Sequence, residues 1–183
     1  NEAELRNLMY TAQLDSNELP FVIRYPRGEG VMPEWKTEMQ EIKIGTGRKL
    51  KDGQDIAILS FGHVGNFAAS AIRDVKAEGI NPAHYDMRFV KPLDEEMLHE
   101  VFSKYNKVIT IEDGTVVGGF GSAILEFMNE HGYKADVKIM GIPDRLVEHG
   151  TPKQLYDEIG IDANGIADML RVLSKINVAE LIK

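Results

Sequence analysis

The run Arg24-Tyr25-Pro26-Arg27-Gly28-Glu29-Gly30 gathers two guanidinium groups around a proline turn. A planar guanidinium fork matches the oxygens of a phosphate or carboxylate. The preceding residues Phe21-Val22-Ile23-Arg24-Tyr25 read as a strand that Pro26 ends, and open α/β sheets gather ligands beyond the carboxyl ends of their strands. Both arginines could equally pair with surface carboxylates, and on pattern alone that reading prevails.

A second candidate is the stretch Gly114-x-x-x-Gly118-Gly119-Phe120-Gly121, between an apolar strand and a helix, where backbone amides at a helix amino terminus can hold an anion. It is not a Walker loop, because no Lys-Ser or Lys-Thr follows. It also fails Gly-x-Gly-x-x-Gly, since Ile124 occupies the last position. Tight packing of helix against strand explains these glycines as well, and Gly62-x-x-Gly65 reads as a plain turn.

Glu112-Asp113 could serve as an acid-base pair or hold a metal, but a solvated strand end needs less assumption. The histidines, His63, His84, His99, His131 and His149, show no metal-ligand spacing on one helix and read as surface or packing residues. His149 sits in the loop Glu148-His149-Gly150-Thr151 before a helix cap. There is no Gly-x-Ser-x-Gly elbow and no cysteine, which excludes disulfides and thiolate metal sites. Residue chemistry alone reaches a soluble α/β domain with one candidate anion site.

The elements that must position these groups follow from periodicity. Leu5, Leu8, Met9 and Ala12 fall at helical spacing across residues 2–14 and predict a buried stripe. From Gly28 to Lys43 periodicity is absent and a domain boundary is expected. Beyond it, strands are expected at Ile56–Phe61, His84–Phe89, Val108–Ile111 and Val137–Met140. Helices are expected at Asn66–Glu78, Asp94–Lys104 and Gly121–His131. Asp94 and Thr151-Pro152 are capping residues, Gly160 is a stop, and a last helix runs from Ile166 to Leu173 and on toward Ile182. Strands alternating with helices imply a three-layer αβα architecture with a mostly parallel sheet.

A net charge of −8 disfavours nucleic acid and anionic membranes as partners, because phosphate surfaces need positive potential. No apolar run approaches the roughly 20 residues that span a bilayer. The start Asn1-Glu2-Ala3-Glu4-Leu5-Arg6 has no signal-peptide order and no Met, and reads as the middle of a longer chain.

Five blocks in register resemble the end of the 1-deoxy-D-xylulose-5-phosphate synthase family, within the transketolase superfamily. They are Glu4-Leu5-Arg6 through Tyr10-Thr11; Ile23-Arg24-Tyr25-Pro26-Arg27-Gly28; Asp86-Met87-Arg88-Phe89-Val90-Lys91-Pro92-Leu93-Asp94; Glu112-Asp113 with Gly118-Gly119-x-Gly121-Ser122; and Gly141-Ile142-Pro143-Asp144 with Glu148-His149-Gly150-Thr151. The resemblance makes residues 1–30 the tail of a pyrimidine-binding domain, 31–42 a linker and 43–183 the transketolase C-terminal domain. It implies condensation of pyruvate with D-glyceraldehyde 3-phosphate, with thiamine diphosphate and Mg2+ held upstream of Asn1, in a cytoplasmic homodimer. This chain alone would then hold no catalytic, cofactor or metal residue and be inactive. One position carries over: Arg27 matches the arginine that contacts the aldehyde's phosphate, which reverses the surface-pair reading for that residue, while Arg24 stays structural. Asp86-x-Arg88 is expected to be architectural, and Ser174–Lys183 receives no role.

Two rivals stand beside this reading. The beta chain of a 2-oxo-acid dehydrogenase would pass its acyl group to lipoamide, and Tyr-Pro-Arg-Gly with Glu-His-Gly-Thr argues against it. A non-catalytic module binding a protein or small anion is the rival of a different class.

Overall fold

Val108, Ile109 and Ile111 are buried whichever way their side chains point, so the strand that carries them lies at the heart of a sheet covered on both faces. The computed structural model describes residues 1–175. A helix α1 (Glu2–Thr11) comes first; then follow β1 (Arg48–Lys51), β2 (Ala57–Phe61), α2 (Gly65–Val75), β3 (Ala83–Asp86), α3 (Glu95–Lys104), β4 (Lys107–Thr115), α4 (Phe120–Glu130), β5 (Asp136–Ile142), α5 (Pro152–Glu158) and α6 (Ala163–Lys175). The strand order is β1-β3-β2-β4-β5. All neighbours run parallel except β1, which pairs antiparallel with β3 at one edge.

The alternation of side chains sorts the core into two clusters. Ile56, Ile58, Ile109 and Ile111 meet α2 and α6, where Val75, Ile166, Leu170 and Leu173 are buried. Ala57, Leu59, Tyr85 and Val108 face the other way and meet Leu98 and Val101 of α3 and Ile124 and Phe127 of α4. This is the expected three-layer α/β arrangement.

The capping predictions hold. Asp94 accepts from the Met97 amide at 2.9 Å, and Thr151 with Gln154 forms a capping box before Pro152. Gly160, at φ +72°, stops α5. The extension of the last helix beyond Lys175 lies outside the described residues.

Three expectations are corrected. Residues 21–25 form no strand: the short apolar run is present, but no neighbouring strand pairs with it among the described residues. The third strand stops at Asp86 rather than Phe89, because Arg88 takes a positive φ of 54° that leaves the extended region. And β1 was missed, its sequence Arg48-Lys49-Leu50-Lys51 carrying the charges of an edge strand instead of an apolar run.

The amino-terminal region is held differently. Glu2 accepts from the amides of Val31 and Met32, Asn7 from Gln40 and Thr11 from Ile42, while Arg6 donates to the carbonyl of Thr37. These side chains line one face of α1 and replace a strand partner for the chain that passes alongside. The predicted apolar stripe is only half-buried, and Met9 is exposed. Glu4 then bonds to Arg88 through Nε and Nη2 and to Arg48 at 3.0 Å, and Arg48 reaches Asp86. Two carboxylates and two guanidiniums thereby join α1 to β1 and the end of β3, the architectural use expected of Asp86-x-Arg88.

Candidate functional site

The carboxyl ends of β2 and β4 are adjacent, and connections leave the sheet in opposite directions on either side of them, the place where α/β sheets admit ligands. Here Glu112 is 2% exposed, which overturns the solvated reading of this strand end. Its Oε2 accepts from the amide of Phe120 and its Oε1 from that of Gly121, both at 2.9 Å. The positive end of α4 thus holds a carboxylate supplied by the chain itself, and the candidate anion site is already filled.

The glycines make this possible. A Cβ on Gly119 would lie 2.0 Å from the Thr115 carbonyl oxygen and 2.5 Å from a Glu112 oxygen; one on Gly121 would strike Ile139 and Thr110. The packing reading therefore holds for Gly119 and Gly121, and the anion at this helix terminus is an internal carboxylate in place of a bound ligand.

Asp113 points the other way. Its Oδ2 accepts from the Tyr156 hydroxyl at 3.0 Å, and the Tyr156 oxygen lies 3.1 Å from His63 Nε2. The single phenolic proton goes to the carboxylate, so His63 must donate its own Nε2 proton to the phenolic oxygen. Burial lowers the His63 pKa against the opposing charge of Asp113. Burial and the bond to Asp113 push Tyr156 up to about 12. Sequence reasoning missed this chain, because His63 and Tyr156 stand far apart in sequence and neither belongs to a motif.

Arg24 reaches the same place. Its Nη2 donates to the main-chain carbonyl of Asp113 at 2.8 Å. Arg27 is exposed, and no ion pair among the described residues involves either arginine. The surface-pair reading of Arg24 and Arg27 is thereby replaced, by a carbonyl contact for the first and an unpaired guanidinium for the second. His84 is buried against Ser60, His99 bonds to Tyr133, and His149 is exposed in its loop; the structure brings none of them to β4.

The donor set does not fit thiamine diphosphate with its magnesium. Among the described residues no three His, Asp or Glu side chains converge as metal ligands, and the amide-rich terminus of α4 is taken by Glu112. No described helix is long and apolar enough to cross a membrane.

Residues 45–166 match the family described as transketolase, C-terminal domain. The chain is 60% identical over 176 residues to a 1-deoxy-D-xylulose-5-phosphate synthase of Cytophaga hutchinsonii, a match covering 96% of this chain and 28% of the relative. It is 55% identical over 173 residues to the protein of that name from Parabacteroides distasonis, covering 93% and 27%. The protein of that name from Geobacillus thermodenitrificans is 41% identical over 174 residues, covering 94% and 28%. The chain therefore spans little more than a quarter of the length of these relatives. A solved structure described as a split-gene transketolase, inactive β4 tetramer, superposes with a TM-score of 0.68 at 31% identity, over 73% of this chain and 44% of that one.

Proposed function

The chain belongs to the transketolase C-terminal domain family, and we propose that it is the carboxy-terminal part of a 1-deoxy-D-xylulose-5-phosphate synthase. The observation that carries this reading is the 60% identity, over almost the whole chain, to a relative of that name. The whole polypeptide would join pyruvate to D-glyceraldehyde 3-phosphate, losing carbon dioxide and forming 1-deoxy-D-xylulose 5-phosphate. In this reading residues 1–30 end the pyrimidine-binding domain, 31–42 are the linker and 43–183 the C-terminal domain of a cytoplasmic homodimer.

Thiamine diphosphate and Mg2+ supply the carbanion chemistry when bound, and in this reading residues outside the chain hold them. The isolated chain is then inactive. Exposed Leu19, Val22 and Tyr25 suit a segment whose packing partner lies elsewhere in the longer polypeptide.

This chain's own contribution is Arg27. Its guanidinium, exposed and without a carboxylate partner among the described residues, binds the aldehyde's phosphate through charge-assisted bonds of about 1.5–3 kcal/mol each. Arg27→Ala in the whole enzyme is expected to raise the KM for D-glyceraldehyde 3-phosphate roughly ten- to a hundredfold and leave that for pyruvate nearly unchanged. Equal changes in both constants would remove this role.

A further inference from the structure

Arg27 acts on a phosphate only if its backbone is held in place, and residues 21–27 have no strand partner to hold them. Two contacts do it instead. The ring of Phe21 stands edge-on to that of Phe89 at 6.2 Å, and Arg24 donates to the Asp113 carbonyl across a separation of 89 residues. Between Arg24 and Arg27, Pro26 has its φ fixed, and Tyr25, preceding it, is confined to extended conformations. The position of Arg24 is therefore transmitted to Arg27 through few free torsions.

The acceptor end is equally fixed. Asp113 is held by Tyr156 of α5, which is held by His63 of the turn after β2, while its neighbour Glu112 is bound to two amides of α4. Gly114 is shaped to this arrangement: a Cβ there would lie 3.3 Å from Arg24 Nη1 and 2.7 Å from Glu112 Oε2, so only glycine leaves room for guanidinium and carboxylate together.

We propose that Arg24 is a positioning residue for Arg27, and that the His63–Tyr156–Asp113 chain holds the carbonyl on which Arg24 rests. This deepens the reading of Arg27 given above and depends on it. A main-chain carbonyl suits the task, since the backbone of β4 fixes its direction and it accepts from the guanidinium without forming an ion pair.

The test compares D-glyceraldehyde 3-phosphate with unphosphorylated D-glyceraldehyde at saturating pyruvate, in the full-length enzyme. Arg24→Met should lower kcat/KM for the phosphorylated aldehyde about tenfold through KM, leave the unphosphorylated one within about twofold, and be largely rescued by Arg24→Lys, which restores a donor to the carbonyl. Tyr156→Phe, which leaves both arginines in place, should lower the same constant about threefold with the same selectivity. Equal losses on both aldehydes would mean a merely structural role and overturn the proposal. So would an impaired Arg24→Met with an unchanged Tyr156→Phe, which gives Arg24 a direct contact. If Arg27→Ala impairs the phosphorylated aldehyde while Arg24→Met does not, the positioning role fails and the reading of Arg27 survives; if Arg27→Ala is harmless, that reading fails first.

Discussion

From Asn1 to Ile44 only Thr11 and Ile42 are buried, whereas the sheet and its helices bury two apolar clusters. The first region is tied down by side chains bonding to passing backbone, the second by excluded water. Polar ties fix geometry and contribute about 0.5–1.5 kcal/mol each, while a buried aliphatic side chain contributes about 1.5–3 kcal/mol. The contrast assigns stability to residues 45–175. It leaves the amino-terminal region with exposed apolar side chains, Val22 at 86% exposure and Leu19 at 78%.

The sharpest way to break this contrast is to cut into both regions. Leu170→Ala, in the cluster between α2 and α6, should cost about 2–5 kcal/mol in denaturant unfolding, while Val22→Ala should stay within about 0.5 kcal/mol. Comparable losses would mean that the amino-terminal region carries a core of its own.

Glu112→Gln should cost roughly 1–3 kcal/mol, because the amide cannot accept from both N–H groups of α4 and turns one donor against another. A neutral result in the same unfolding assay would mean that the carboxylate does not cap α4.

The pH dependence should also belong to the sheet. His84, buried beside Ser60, is pushed down to about 4, chiefly by burial and then by Arg48 and Lys51. Its folded value lies below the ordinary 6.5, so the folded state takes up its proton later than the unfolded one. Its stability contribution is complete above pH 6.5 and declines as the pH falls toward 4, by on the order of 3 kcal/mol. His84→Gln should flatten that slope in thermal scans; an unchanged slope would place it elsewhere. No histidine lies in residues 1–44, so their release should not follow this titration.

The smallest effect sharpens the contrast most. Glu4→Gln weakens the links to Arg88 and Arg48 and should cost about 1 kcal/mol, seen as faster amide exchange at 31–42 with β2 and β4 unchanged. Exchange spreading into β4 would show that the two regions unfold together.

Much of the sheet and its helices was legible because its signals are local: Asp94 and Thr151 announce helix starts a few residues ahead, and Val108–Ile111 announces a buried strand. The amino-terminal region misled because a short apolar run such as Phe21–Tyr25 marks a strand only when a partner exists. Glu112 was misread for a related reason. Its partners are amides eight and nine residues on, and the clue was the crowd of glycines at 114, 119 and 121, the first two too close to Glu112 for a side chain. Arg24 and Tyr156 meet Asp113 across separations of 89 and 43 residues, which no local pattern records.

As the carboxy-terminal part of a longer synthase, this chain would need the rest of the polypeptide for catalysis. The direct test is to supply pyruvate and D-glyceraldehyde 3-phosphate, with thiamine diphosphate and Mg2+, to the 183-residue chain and to the polypeptide encoded by its native reading frame. The expected result is 1-deoxy-D-xylulose 5-phosphate from the longer polypeptide only. Product from the short chain, acyl transfer to lipoamide in place of the sugar phosphate, or a native frame no longer than this chain would contradict it.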